Sequence, residues 1–152
     1  MEEALERAFP GCSVERRTEY LTAEQVERAR ALAEVEVASA LVHPYVAYCA
    51  GAPGGTAYFD AHRVRTLPET LLVVVDPQGR VDRIELLSFD EPPEYIPRGV
   101  WYEQFLGEEL DADLGLARGI DGVTGATLTA RATTEAVRRI LALHRVLHEE
   151  AP

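Results

Sequence analysis

The 152-residue sequence contains no lysine and no asparagine, and all 15 of its basic residues are arginine. Without Lys there is no Schiff-base or pyridoxal-phosphate anchor, no phosphate-loop lysine and no kinase lysine. Without Asn there is no N-glycosylation acceptor. Serine is limited to Ser13, Ser39 and Ser88, and no Ser/His/Asp arrangement stands out. Positive charge is scarce overall. The 26 acidic residues leave a formal net charge of −11, which argues against a nucleic-acid partner. No window approaches the ~18 apolar residues of a membrane span. The charged start, Met1 to Arg7, is unlike an apolar signal peptide. The chain therefore reads as soluble and cytoplasmic; an exported parent that had lost its leader would read the same way and be extracytoplasmic. Cys12 and Cys49 belong to no CxxC pair and read as two small core residues, with a disulfide left open.

What is present is an ordinary globular composition, 47% hydrophobic and 27% charged. The expectation is one domain over 1–152, with a helix-and-strand segment over 1–34 and the sheet, motif and last helix over 35–152. Leu5, Ala8 and Phe9 predict a short amphipathic helix ended by Pro10-Gly11. Residues 13–21 read as a strand. Thr22 and Gln25 form a capping box for a helix that runs to about residue 34. Residues 35–41 and 45–50 read as strands and 51–55 as a turn. Strands over 56–64 and 70–75 follow, and 70–75 pairs through the turn Asp76-Pro77-Gln78-Gly79 with 80–89. Residues 91–99 are a breaker-rich loop of functional length. A short helix spans 100–106, and 111–119 is irregular. From residue 128 to 148, Ala132, Ala136, Ile140, Leu143 and Leu147 line one helical face, widened by Val137 and Leu141, with Arg138 and Arg145 on the other side. Helices around a block of antiparallel strands predict an α+β fold.

The informative segment is Asp121-Gly122-Val123-Thr124-Gly125-Ala126-Thr127-Leu128-Thr129, directly before the long helix. A helix N-terminus offers unpaired N–H groups and partial positive charge, which suit a phosphate. Gly122 and Gly125 allow close approach of backbone to a ligand. The threonines offer hydroxyls, and Arg118 and Arg131 are near in sequence. On composition alone such a stretch is also a plain helix cap.

The string matches the flavinylation pattern Asp-x-x-Ser/Thr-Gly-Ala-Thr at every constrained position and resembles the FMN-binding domain family. That family includes the covalent-FMN subunits of the Rnf electron-transport complex and of the sodium-pumping NADH:quinone oxidoreductase. Trp101-Tyr102-Glu103-Gln104-Phe105-Leu106-Gly107 is similar to the family's W-x-x-Q-F-x-G element. The hairpin of residues 71–89 and the opening Ala8-Phe9-Pro10-Gly11 are similar too. The resemblance implies FMN bound by Thr127, Asp121, Gly122, Thr124, Gly125, Ala126, Leu128, Thr129, Glu91 and Trp101. It implies a flavin transferase that moves FMN from FAD onto Thr127 as a phosphoester, much of which takes place outside the cytoplasm. It further implies an electron carrier or oxidoreductase subunit with redox-partner proteins, free or in a membrane-bound complex, and with no catalytic acid or base of its own. The chain departs from the family's Glu-Thr-Pro-Gly-Leu-Gly loop, reading Glu91-Pro92-Pro93-Glu94-Tyr95-Ile96, and has Ala130 where Ser is common. That altered loop keeps two alternatives open: a sensory module that binds FMN non-covalently, and a flavin-free interaction domain.

Three further groupings carry residue types capable of chemistry. Asp60 and His62, near Arg63 and Arg65, read as an exposed polar strand face or as the wall of a flavin or metal pocket. His144 and His148 have the i, i+4 spacing of a metal pair with no third ligand evident, and read as cations at a helix C-terminus. Trp101, Tyr102, Phe105 and Tyr95 read equally as core or as a surface on which a flavin stacks.

Overall fold

A computed structural model describes residues 1–116 and 118–149. In chain order the elements are α1 (Glu2–Ala8), β1 (Ser13–Arg16), β2 (Glu19–Tyr20), α2 (Ala23–Ala33), β3 (Leu41–Val42), β4 (Tyr45–Cys49), β5 (Ala52–Arg63), β6 (Pro68–Val75), β7 (Val81–Phe89), α3 (Gly99–Tyr102) and α4 (Thr127–His148). The main sheet has the order β1-β4-β5-β6-β7 with every pairing antiparallel. β2 and β3 make a separate small ribbon. The expected α+β fold, with its C-terminal helix after the motif, is what forms. No helix among the described residues is long and apolar enough to cross a membrane.

β6 is apolar on both faces, and Leu71 to Val75 are fully buried. Leu71, Val73 and Val75 pack in the cluster that includes Ala29 and Ala33 of α2 and Ala136, Val137, Ile140 and Leu141 of α4. Leu72 and Val74 pack with Ala4 and Phe9 on the opposite face. Each such burial contributes about 1.5–3 kcal/mol. The β6–β7 turn is closed by Asp76, whose Oδ1 accepts from the N–H groups of Gln78 and Arg80 at 2.9 Å each. Thr22 and Gln25 make the capping box of α2 as expected.

Four local expectations are corrected. Cys12 and Cys49 form a disulfide; it ties the end of α1 to the β4–β5 hairpin, where Gly54 leaves room for Cys49 Sγ. The strand expected over 13–21 is split into β1 and β2, which pair in different sheets. Most of residues 35–41 is irregular: Val37 is buried, and its carbonyl accepts from Arg30 Nη2 where a strand partner would otherwise be needed. The turn over 51–55 shrinks to Ala50-Gly51, both at positive φ, as a two-residue hairpin loop requires.

Arg138 is a fifth correction. It was expected on the polar side of α4, yet it is 5% exposed. Its guanidinium donates to the carbonyls of Ala33 (2.7 Å), Asp111 (2.8 Å) and Leu114 (2.8 Å). It thereby satisfies the C-terminal end of α2 and the 111–114 loop, backbone groups that would otherwise be unpaired.

Candidate functional site

Two sequence elements meet to build the motif loop. The Trp101 indole donates to the Asp121 carbonyl at 2.6 Å. Gln104 Oε1 accepts from the Asp121 N–H at 2.8 Å, and Gln104 Nε2 donates to the Trp101 carbonyl at 3.0 Å. The W-x-x-Q element therefore holds the first residue of the motif by both of its backbone groups. Beyond it, the Val123 carbonyl accepts from the Ala126 N–H at 3.1 Å. Gly125 stands at φ 83°, a conformation costly for other residues. α4 then starts at Thr127 with no side-chain cap and no acidic residue in its first turn. Its first N–H groups and positive dipole end are left for an external anion.

Beside this helix start is a cavity of about 220 Å³ lined by Val64, Arg65, Glu91, Tyr95 and residues 125–129. Pockets that enclose a small ligand run ~300–1,000 Å³, so this cleft takes part of a larger molecule and leaves the rest at the surface. The Thr127 side chain is exposed at its rim. Its hydroxyl makes one long contact, donating to the Val123 carbonyl at 3.4 Å. Glu91 Oε1 accepts from the N–H groups of Thr66 and Leu67 at 2.8 Å each, which holds its carboxyl below the usual range. Glu91 thus fixes the β5–β6 turn that carries Arg65 into the cleft.

Behind the cleft is a buried polar row. Asp60 and His62 do not form an exposed face, because this side of β5 turns toward α4. His62 Nδ1 donates to Asp60 Oδ2 at 2.7 Å and Nε2 to Glu69 Oε1 at 2.6 Å. Thr133 Oγ1 also donates to Glu69 Oε1, at 3.0 Å, and Arg139 donates to Asp60 Oδ2 at 2.8 Å. Burial alone would lower the His62 pKa, but the hydrogen bonds and charges of Asp60 and Glu69 outweigh it and raise it to about 9. The Asp60 carboxyl is likewise penalised by burial, and its His62 and Arg139 partners still bring it below the usual range.

A family model for the FMN-binding domain matches residues 67–142. The chain belongs to the FMN-binding domain family. No curated protein matches it. The matched span begins at the β5–β6 turn and includes Glu91, the W-x-x-Q element, the motif and most of α4. Val64 and Arg65 of the cleft, the disulfide and His62 lie outside it.

The residues present fit FMN. A phosphate suits the uncapped start of α4, and space above Gly122 and Gly125 is open, with no atom within 4 Å of where a Cβ would stand. Val64, Tyr95 and Leu128 offer apolar wall for a ring, and Arg65 offers a cation. Of the residues that the resemblance implies, Glu91, Gly125, Ala126, Thr127, Leu128 and Thr129 line the cleft. Asp121, Gly122 and Thr124 are exposed on the loop beside it. Trp101 is 6% exposed and packs edge-on against Tyr102 and Phe105, so it shapes the loop from the core. Arg118 folds back over Gly115. Arg65, read from sequence only as a neighbour of Asp60 and His62, lines the cleft, and with it Val64, which no sequence signal marked, since only the antiparallel return of β6 brings the β5–β6 turn to α4.

His144 and His148 have a structural role. The Tyr58 hydroxyl donates to His144 Nδ1 at 2.7 Å, and burial pushes the His144 pKa down to about 4. His144 is therefore neutral at pH 7, contrary to the expected cation. His148 Nδ1 donates to the His144 carbonyl at 2.7 Å. Among the described residues, no three His, Cys, Asp or Glu side chains are grouped to hold a metal.

Proposed function

We propose that this FMN-binding domain carries FMN esterified to Thr127 and passes electrons between redox-partner proteins. The observation that carries the reading is the exposed Thr127 hydroxyl at an uncapped helix start, on the rim of a cleft too small to enclose a whole nucleotide. A phosphoester on Thr127 Oγ1 would lie against the free N–H groups of the first turn of α4, with the ring directed along Val64, Tyr95 and Leu128. In maturation by a flavin transferase, Thr127 Oγ1 forms the bond to the FMN phosphorus of FAD. The diphosphate bridge breaks, AMP leaves, and the hydroxyl proton is lost. The bound isoalloxazine supplies the electron chemistry. The protein supplies the loop held by Trp101 and Gln104, the turn held by Glu91 and the positive helix end. The partly open cleft favours exchange with protein partners. The Cys12–Cys49 disulfide supports an oxidising, extracytoplasmic setting, because such bonds are rare in reducing compartments.

The test is expression with and without a flavin transferase, followed by denaturation. Yellow colour that stays with the polypeptide only after co-expression supports the ester. Colour released on denaturation supports the non-covalent sensory alternative instead. A chain left colourless by free FMN and by the transferase contradicts both.

A further inference from the structure

Thr129 and Glu69 are both fully buried, and each leaves one polar atom unpartnered, Thr129 Oγ1 and Glu69 Oε2. The Tyr102 hydroxyl is a third such atom. Burial, and after it the Glu69 charge, holds that phenol in its protonated form. Tyr102 feels the Glu69 charge, and Thr129 stands one helical turn from Thr133, which bonds Glu69, so two hydroxyl groups and a carboxyl oxygen are left to match the partners of an internal water, since buried polar groups are nearly always satisfied.

The position of this group matters more than its composition. Thr129 lines the flavin cleft. Thr133, four residues or ~6 Å further along α4, donates to Glu69. On the sheet side, Val64 in the β5–β6 turn also lines the cleft, and His62 stands two residues before it, near the end of β5. Two separate elements therefore place the Glu69–His62 pair one step behind the cleft wall. At the other end of the row, Asp60, His62 and Arg139 line a second cavity of about 490 Å³, together with Tyr58, Val42 and Ile140. A hydrogen-bonded row that runs from one cavity to the wall of another is an arrangement suited to moving protons. A hydrophobic filling of the same space would stabilise the fold at least as well.

We propose that His62, Glu69 and a water held by Thr129 and Tyr102 form a proton path from the second cavity to the flavin cleft. The proposal rests on the FMN reading above. When two electrons arrive from a redox-partner protein, reduction of an isoalloxazine takes up protons as well. His62 gives its Nε2 proton to Glu69. Glu69 passes one proton on, through the water, to an acceptor in the cleft. The neutral ring keeps its Nδ1 proton, so it turns over to take a proton from solvent water in the second cavity on the vacant Nε2, and turns back to Glu69 for the next transfer. Each proton delivered balances the charge of one arriving electron. Asp60 and Arg139 hold the outer end of the row. The polar and charged groups that face His62 and Glu69 are Asp60 on β5, Thr133 and Arg139 on α4 and Tyr102 on α3.

The experiment uses the FMN-loaded chain, reduced by methyl viologen radical, which brings electrons without protons. Stopped flow follows flavin bleaching and a pH-indicator dye together. In the wild type, proton uptake is expected to keep pace with bleaching. In Glu69→Gln and Thr129→Val, uptake is expected to lag on the order of 100-fold, the contribution of a positioned proton donor. Thr129→Val removes only an unpartnered hydroxyl, so it keeps the test usable if Glu69→Gln folds poorly. The flavin-free protein gives a second readout: NMR titration of the His62 ring should shift to lower pH in Glu69→Gln. Uptake that keeps pace in both variants overturns the path and leaves the FMN reading intact. An unmoved His62 titration also overturns the path. A chain that takes up no FMN overturns the reading on which the path rests.

Discussion

Two histidines should give this protein a stability maximum near pH 6.5, with slopes of opposite cause on either side. His62 titrates near 9 in the folded state against 6.5 unfolded. Folding therefore raises its pKa. Its contribution is complete below pH 6.5 and is lost as pH rises to 9. The separation of about two and a half pH units, at ~1.4 kcal/mol per unit, sets a ceiling of about 3 kcal/mol. Solvent reaches His62 from the second cavity, and screening reduces the expected loss to about 1–2 kcal/mol. His144 works in the opposite sense. Its folded pKa near 4 lies below the unfolded value, so stability falls as pH drops from 6.5 to 4 and only the unfolded chain binds the proton. Denaturant unfolding at half-unit pH steps measures both limbs. His62→Gln should flatten the limb between pH 6.5 and 9, and His144→Gln the limb between 6.5 and 4. Cysteine does not contribute to the alkaline limb, because both thiols are in the disulfide. Wild-type stability that stays constant from pH 6.5 to 9, or an alkaline limb that survives His62→Gln, refutes the charge assignment of the buried row.

Three further outcomes are expected. Reduction of the Cys12–Cys49 bond, which closes a loop with a sequence separation of 37 residues, should cost roughly 4 kcal/mol by chain entropy. Thermal melts with and without reductant should then differ by about 10 °C, and equal midpoints would contradict it. Arg138→Met leaves buried carbonyls of Ala33 and Leu114 unpaired and should destabilise by about 3–5 kcal/mol, measured by urea unfolding. Gln104→Leu removes two hydrogen bonds at the exposed motif loop and should cost only about 1–2 kcal/mol. It should nonetheless slow flavin loading well beyond that of a surface variant such as Glu103→Gln, timed by the appearance of protein-bound colour.

The sheet and its helices were legible because their signals are local. Leu71 to Val75 is apolar on both faces, Asp76 to Gly79 specifies a turn, and Thr22 with Gln25 specifies a helix start. The motif was legible for the same reason, as a contiguous string before a helix. What was missed is set by tertiary contact. Arg138 looks exposed on a helical wheel, yet the open carbonyls at the end of α2 provide it with buried partners. The disulfide depends on β1 pairing with β4, whose register (Ser13 opposite Tyr48) sets Cys12 beside Cys49. Glu69 did carry a readable sign: it stands at the inward position of the Glu69-Leu71-Val73-Val75 alternation, where a charge requires partners. Reading it against Asp60 and His62 required the β5–β6 register, which places His62 opposite Glu69.

The central claim is that Thr127 is the flavin acceptor. Its most direct test is peptide mass mapping of denatured protein from cells that express a flavin transferase. The account predicts an FMN adduct confined to the peptide that contains Thr127, and none on Thr127→Val. An adduct on Thr124 or Thr129, or one that persists in Thr127→Val, would contradict it.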